Sequence, residues 1–295
     1  MKRIAFVALA ALVLLSCRSS QTAAAPPQAR PALWKVSDAD TTIYLFGTIH
    51  VLPKGLAWQS PKIEKAIRAS NTLMLETVLD PNPAVTGAIM LKLGMSPNLP
   101  PLMARVPADK RAALQKVVEK AGVPLVALDK FETWAAALTL ASAGLQELNA
   151  SADYGAEKVL TARFLADHKL VAGLETPTQQ LGYFDSLSEA AQRTFLVSVA
   201  DDQSDSRAEF DRMIAAWSAG DVGRIALTFD DELKLSPELS EALLRRRNAS
   251  WAGWITARMA QPGTVFLAVG AGHLAGANSV EAMLATKGYK AVRLQ

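Results

Sequence analysis

Two segments of this chain share one pattern, and they sit near its opposite ends. Thr42-Ile43-Tyr44-Leu45-Phe46 runs into Gly47-Thr48-Ile49-His50. Thr264-Val265-Phe266-Leu267-Ala268-Val269 runs into Gly270-Ala271-Gly272-His273. Each is a short apolar run of the kind that forms a buried strand, closed by a Gly-x-x-His corner. A fold that pairs the two strands brings two imidazoles to one sheet edge. The chain has only 3 histidines, so two in matched corners point to a shared site. Imidazole is the commonest metal ligand and the usual proton carrier near neutral pH.

The N terminus reads as a processing signal. Lys2-Arg3 is a basic start, Ile4 to Leu15 an apolar stretch too short to span a bilayer, and Leu14-Leu15-Ser16 precedes Cys17. This predicts removal of residues 1–16, lipid attachment at Cys17 and a flexible Ser/Gln/Ala/Pro tether over 17–31. The expected location is the bacterial envelope, the domain in the periplasm. Arg18 after the cysteine favours the outer membrane over the inner. Cys17 is the only cysteine, so no disulfide framework is expected. Losing Lys2 and Arg3 takes two from 31 basic residues set against 28 acidic ones, leaving the chain near +1. With no basic stripe interleaved with aromatics, nucleic acid is not expected as a partner.

Residues 32–295 are long enough for one α/β domain, and half of the whole sequence is apolar. Leu33–Val36 and the Thr41 run predict a hairpin around Asp38-Ala39-Asp40. Ser60-Pro61 opens a helix to Ala69, and Thr72–Thr77 is the next buried strand, a strand-helix-strand unit that implies parallel strands. Helices are expected over 83–93, 108–121 and 132–148, with a short strand at Pro124–Leu128. Asp153 is expected to cap a helix running to about His168, before a strand at Leu170–Glu175. Further helices are expected over 188–220 and 236–259, the latter with a break near Asn248. The Thr264 strand, a helix over 279–285 and a last strand at Lys290–Leu294 close the chain. The fold class is therefore α/β, with a mixed, largely parallel sheet built from the N- and C-terminal segments and a mostly helical insertion in the middle.

In open α/β sheets ligands bind at the carboxyl ends of the strands. His50, Glu76, Glu175 and His273 all fall at such ends. Two imidazoles and a carboxylate are a donor set for a divalent metal; they equally make a metal-free acid–base pair in which Glu orients His. Gly47 and Gly270 are expected to let the backbone turn just before each imidazole, and Gly272 and Gly276 to keep the second loop open. Arg245-Arg246-Arg247 reads as a charged helix face from which one arginine reaches an anionic intermediate. Trp251 and Trp254 read as core, and His168 as a solvated helix end.

These blocks resemble the TraB/PrgY/GumN family, which includes the Tiki proteins. Tyr44-Leu45-Phe46-Gly47-Thr48-Ile49-His50-Val51-Leu52-Pro53 is similar to its opening motif and Leu75-Glu76-Thr77 to its second. Asp153 with Gly173-Leu174-Glu175-Thr176 resembles the third, Arg247-Asn248 with Trp251 the fourth, and Val269-Gly270-Ala271-Gly272-His273-Leu274 the last. The bacterial GumN-like branch is the nearest in pattern. Arg246 stands where a Glu often precedes Arg-Asn, so that position supplies no carboxylate here. The resemblance implies one site holding both Gly-x-x-His motifs and a glutamate. Its Tiki members are regarded as divalent-metal-dependent proteases, while relatives of the fold include esterases that work without metal.

The expectation is thus an envelope hydrolase, peptidase-like, acting on a peptide or small molecule and using bound Mn, Co or Zn. His50, His273 and Glu76 would hold the metal, with Glu76 doubling as base. Arg247 would stabilise the oxyanion, and Asp153 and Glu175 would orient substrate or ligands. The alternatives are a metal-free His/Glu hydrolase with His50 as base, and a non-catalytic module that captures a peptide or signal.

Overall fold

The computed structural model describes residues 28–144, 148, 150–201, 206–227 and 236–295. The signal segment and Cys17 lie outside the described residues. The chain is already engaged at Ala29 and Arg30, whose N–H groups donate to Ala57 O and Ser218 O; the last residues assigned to the tether are thus part of the fold.

Strands β1 (Leu33–Ser37) and β2 (Thr41–Thr48) form the expected antiparallel hairpin. After the short β3 (Leu52–Pro53), helix α1 (Pro61–Ala69) starts on a Ser60 cap with proline in its first turn. Strand β4 (Thr72–Thr77) follows. The main sheet has six strands, completed by β6 (Leu170–Glu175), β7 (Gly263–Gly270) and β8 (Val292–Arg293), in the order β6-β4-β7-β2-β1-β8. The β4–β6, β4–β7 and β2–β7 pairs are parallel, and β1 is antiparallel to both β2 and β8. β5 (Ala150–Ser151) pairs with β3 in a separate two-stranded ribbon.

β2 and β4 are parallel, as the strand-helix-strand unit implies, but they do not touch. The C-terminal strand β7 lies between them, in register with Thr41–Thr48 on one side and Thr72–Leu75 on the other. Because β-strand side chains alternate, β7 feeds two cores. Phe266 and Ala268 meet Phe46, α1, α6 (Ala156–Ala166) and α9 (Ser206–Ala219) on one face. Val265, Leu267 and Val269 meet Leu45, α11 (Arg246–Arg258) and α12 (Val280–Thr286) on the other. A strand covered on both faces reads as a continuous apolar run, which is what 264–269 is.

The middle of the chain is the helical insertion. It comprises α2 (Pro83–Gly94), α3 (Arg111–Ala121), α4 (Leu125–Leu128) and α5 (Thr133–Gly144), joined by α7 (Pro177–Asp185) and α8 (Glu189–Asp201) from beyond β6. α3, α4, α5 and α8 share a third core, among them Leu114, Leu128, Ala136, Leu140 and Leu196.

Four local expectations change, and the end of a fifth element lies outside the described residues. Pro124–Leu128 is a helical turn, not a strand: Pro124 holds φ near −58° and its carbonyl accepts from Ala127 and Leu128 N–H. The helix expected over 132–148 is described as far as Gly144. Asp153 does not cap α6. It sits in a 3-10 turn, Ala152–Tyr154, and Gly155 holds the cap position. The irregularity expected near Asn248 comes a turn earlier. A short helix α10 (Pro237–Ser240) leads into a π turn, Glu241–Arg245, and Asn248 lies inside the regular α11. The last strand is Val292–Arg293 alone.

Candidate active site

The four parallel strands point their carboxyl ends the same way, and the chemistry collects there. β2 delivers Thr48 and His50, β4 delivers Glu76, β6 ends on Glu175, and β7 leads into a turn, Ala271–Leu274, carrying His273. The β2–β7 register sets Thr48 against Gly270, so the two Gly-x-x-His corners are side by side. Space between them is tight. A Cβ on Gly47 would stand 3.1 Å from Ala271 Cα, and one on Gly270 would stand 3.1 Å from Glu76 Oε1. Neither glycine has positive φ, so close approach rather than an unusual turn is what they supply.

The deep part of the site is built around Arg247 of α11. Its Nε donates to Glu175 Oε1 at 2.9 Å; Nη2 donates to Glu175 Oε2 at 2.9 Å and Glu76 Oε2 at 2.7 Å. Nη1 donates to Leu243 O at 3.2 Å and to His273 Nε2 at 3.1 Å. All five N–H donors of the guanidinium are thereby used. Its Cζ lies over the Tyr183 and Trp251 rings, at 5.6 and 4.7 Å from their centroids. Glu76, Glu175, Arg247 and His273 are all buried. Trp251 is core, as expected, and also donates through Nε1 to Glu175 at 3.0 Å.

The tautomer of His273 follows from its partners. Asn248 turns its amide N–H toward Asn278 O at 2.7 Å, which leaves its Oδ1 facing His273 Nδ1 at 2.6 Å. His273 Nδ1 therefore carries the proton, and Nε2 offers its lone pair to Arg247. Burial first, then the Arg247 charge, pushes the His273 pKa down to about 4, against the pull of Glu76. Burial alone would raise Glu76. The charges of His273, Arg247 and His50 and the Gly270 N–H at 2.6 Å overcome it and hold Glu76 below the usual carboxylate range. With His273 neutral above about pH 4, Arg247 and Gly270 keep Glu76 anionic at neutral pH. Gln180 of α7 adds a donor to Glu76 at 3.1 Å.

His50 is the open member. Its side chain is 71% exposed, and Nδ1 lies 2.7 Å from Glu157 Oε1 in the first turn of α6. Thr48 Oγ1 donates to the same carboxylate oxygen. The hydrogen bond to Glu157, reinforced by the charge of that carboxylate, raises the His50 pKa to about 9 from an ordinary 6.5. The His50 backbone is fixed from behind: Ala156 N–H donates to Ile49 O at 3.1 Å, and a Cβ on Gly155 would come within 2.0 Å of His50 O. Only glycine fits there. Trp217 of α9 pins the other end of the corner through Nε1 to Gly47 O at 2.8 Å.

Sequence reasoning placed His50, Glu76, Glu175 and His273 at strand ends and Arg247 on a helix face reaching toward them, and the structure brings the five to one edge. Gly47, Gly270 and Gly272 lie in the two corners. Asp153 is exposed and paired with Lys158 at 2.5 Å. Glu157, Asn248 and Gln180 were not assigned roles. Of these, Asn248 had a signal in its place beside Arg247, one turn before Trp251. Glu157 had none, because its partner is distant in sequence.

The expected metal ligands are engaged otherwise in this arrangement. Arg247 covers the His273 Nε2 lone pair and one Glu76 oxygen, and Gly270 N–H covers the other. A divalent ion on that set would stand against a guanidinium. Among the described residues no group of three or more His, Cys, Asp or Glu side chains is disposed to hold a metal ion. A metal on this donor set requires Arg247 to withdraw from His273 and Glu76.

Fold and site together define an α/β protein with paired Gly-x-x-His corners over a buried Glu-Arg-Glu-His cluster. The chain belongs to the TraB/PrgY/gumN family, whose model matches residues 32–293. It is similar to the protein named "Uncharacterized protein YbaP" of Escherichia coli (strain K12), 22% identical over 254 residues, covering 86% of this chain and 92% of that one. The protein of the same name from Shigella flexneri is 23% identical over 241 residues, covering 82% and 87%. No solved structure matches.

Proposed function

We propose that the protein is a hydrolase of amide or ester bonds, with His50 as the group that moves the proton. The observation that carries this reading is the His50–Glu157 pair at 2.7 Å, beside the buried charged cluster. Glu157 holds the Nδ1–H, so the neutral ring, formed as pH rises through about 9, has Nε2 free to take a proton from an attacking water and return it to the leaving group. Arg247 has no free N–H, and Glu76 is held well below the usual carboxylate range. Both act by fixing the floor of the site and its field rather than by exchanging protons. The substrate class is a peptide or a small ester, met in the bacterial envelope by a chain attached through lipid at Cys17. No helix among the described residues is long and apolar enough to cross a membrane.

A metal-dependent form of the same hydrolysis is the second reading. What favours it is that both imidazoles give Nδ1 to an oxygen partner, Glu157 and Asn248. This is the outer-shell arrangement that frees Nε2 for a metal. It requires Arg247 to withdraw from His273. The two readings separate in one experiment on the purified protein with a peptide and ester panel. Activity that survives exhaustive chelation and is lost in His50→Ala supports the metal-free reaction. Activity lost on chelation and restored by Mn, Co or Zn assigns the metal form. Ligand binding without turnover would make the protein a capture module.

A further inference from the structure

Helix α2 follows Glu76 in the chain and packs on α7, the helix that carries Gln180 and Tyr183 against the buried cluster. Its sequence, PAVTGAIMLKLG, is apolar with Lys92 as its one charge, yet Gly94 is its only buried residue. Thr86, Ile89, Met90 and Leu93 are half-buried against the protein. Val85, Ala88 and Leu91 recur at helical spacing on the other side and are exposed, and exposed Lys92 lies between Val85 and Ala88 on that face. Leu91 is 52% exposed, and Leu79, in the connection from β4, is 57% exposed. A helix apolar all round is normally covered; this one is covered on one side.

We propose that the outward face of α2, with Val78 and Leu79, docks on the surface of the lipid bilayer to which the chain is attached. The proposal rests on the envelope attachment proposed above. The patch is on the order of a few hundred Å², the size that marks an interaction site, and well under the roughly 800 Å² per partner of a stable dimer. A second copy of the chain is therefore a poor match. A tethered bilayer is a good one. Ten residues separate Cys17 from Gln28 and reach at most about 36 Å fully extended. Confinement at that range raises the effective concentration of lipid at the patch, so weak apolar contact suffices. Docking through α2 would set the adjoining site edge close to the membrane surface.

The test uses the mature, lipid-bearing chain carrying Leu91→Cys; the Cys17 sulfur is bonded to the lipid, so position 91 holds the only free thiol. A fluorophore on that thiol is read in phosphatidylethanolamine/phosphatidylglycerol vesicles containing a nitroxide-labelled lipid. The control is Val126→Cys in place of Leu91→Cys, because Val126 is 68% exposed on the insertion. Quenching at position 91 at least about threefold stronger than at 126 is expected for a face seated in the headgroup region, and adding Val85→Glu should abolish the difference. Equal quenching, or a chain that does not sediment with the vesicles, overturns the proposal. A label shielded in lipid-free solution, on protein of dimer mass, would assign the face to a second copy instead. Lipid at Cys17 is read separately, from the mass of the wild-type protein, so a missing lipid and an undocked helix give different results.

Discussion

The pairing of His50 with Glu157 fixes how the proposed chemistry should respond to pH. A base works only in its neutral form, and His50 loses its proton near pH 9. Hydrolysis that depends on it should rise as pH increases through about 9. Glu157→Gln keeps a hydrogen-bond acceptor for Nδ1 but removes the negative charge, so the His50 pKa should fall toward 6.5. The rising limb should move with it. NMR titration reads this directly, since the chain has 3 histidines and His50→Ala assigns the signal. An unmoved His50 titration would show that Glu157 does not govern the imidazole. Arg247 answers to stability instead. Arg247→Met leaves two buried carboxylates without their cation and should cost about 3–5 kcal/mol in urea unfolding. Adding Glu175→Gln should return about 1–2 kcal/mol of that, because the two residues act as one network. At this scale the sequence showed which residues lie at strand ends. It did not show that Arg247 spends all five donors on protein acceptors, since that depends on how α11 crosses the sheet.

Among the elements, the connections carry the most information. Gly155 packs against the His50 carbonyl because the cap of α6 runs directly behind the β2 corner. Gly155→Ala should strain both segments, cost about 1–3 kcal/mol and reduce activity, measured by thermal melting and turnover. Helix α12 offers a pH effect outside the site. Glu281, in its first turn, has an Oε2 that is buried with no hydrogen-bond partner, and burial pushes its pKa up to about 7 from an ordinary 4.5. A carboxyl raised in the folded state favours folding fully below about 4.5, and that advantage is lost as pH rises through about 7. Glu281→Gln should therefore melt higher than the parent at pH 8, by about 1–2 kcal/mol given the residue's partial exposure. The two proteins should converge at pH 4. Helix and strand were legible where the apolar period ran long, as in β7 and α11. They were not at Pro124–Leu128, where five residues satisfy either pattern and the proline decides for a turn of helix.

Over the whole molecule, the last of the four parallel strands in the chain is the one at the centre. β7 pairs with β2 on one side and β4 on the other, and its side chains enter both major cores. The two matched corners implied that the ends of the chain meet. They did not fix the order, because an apolar run buried on both faces looks the same next to any partner. This placement makes the parallel half of the sheet depend on contacts separated by about two hundred residues, a pairing that closes late and at high entropic cost. Truncation after Pro262 removes β7 and leaves β2 and β4 with bare edges and two open cores. The fragment should retain helical circular dichroism from the insertion but show no cooperative unfolding and bind a hydrophobic dye. Truncation after Tyr289 removes only the edge strand β8 and its flanks. It should still unfold cooperatively, with stability reduced by a few kcal/mol. If the fragment ending at Pro262 melts in one sharp transition, then the sheet is held by its N-terminal hairpin and insertion rather than by the C-terminal strand, and the site edge must be assembled after the fold is already stable.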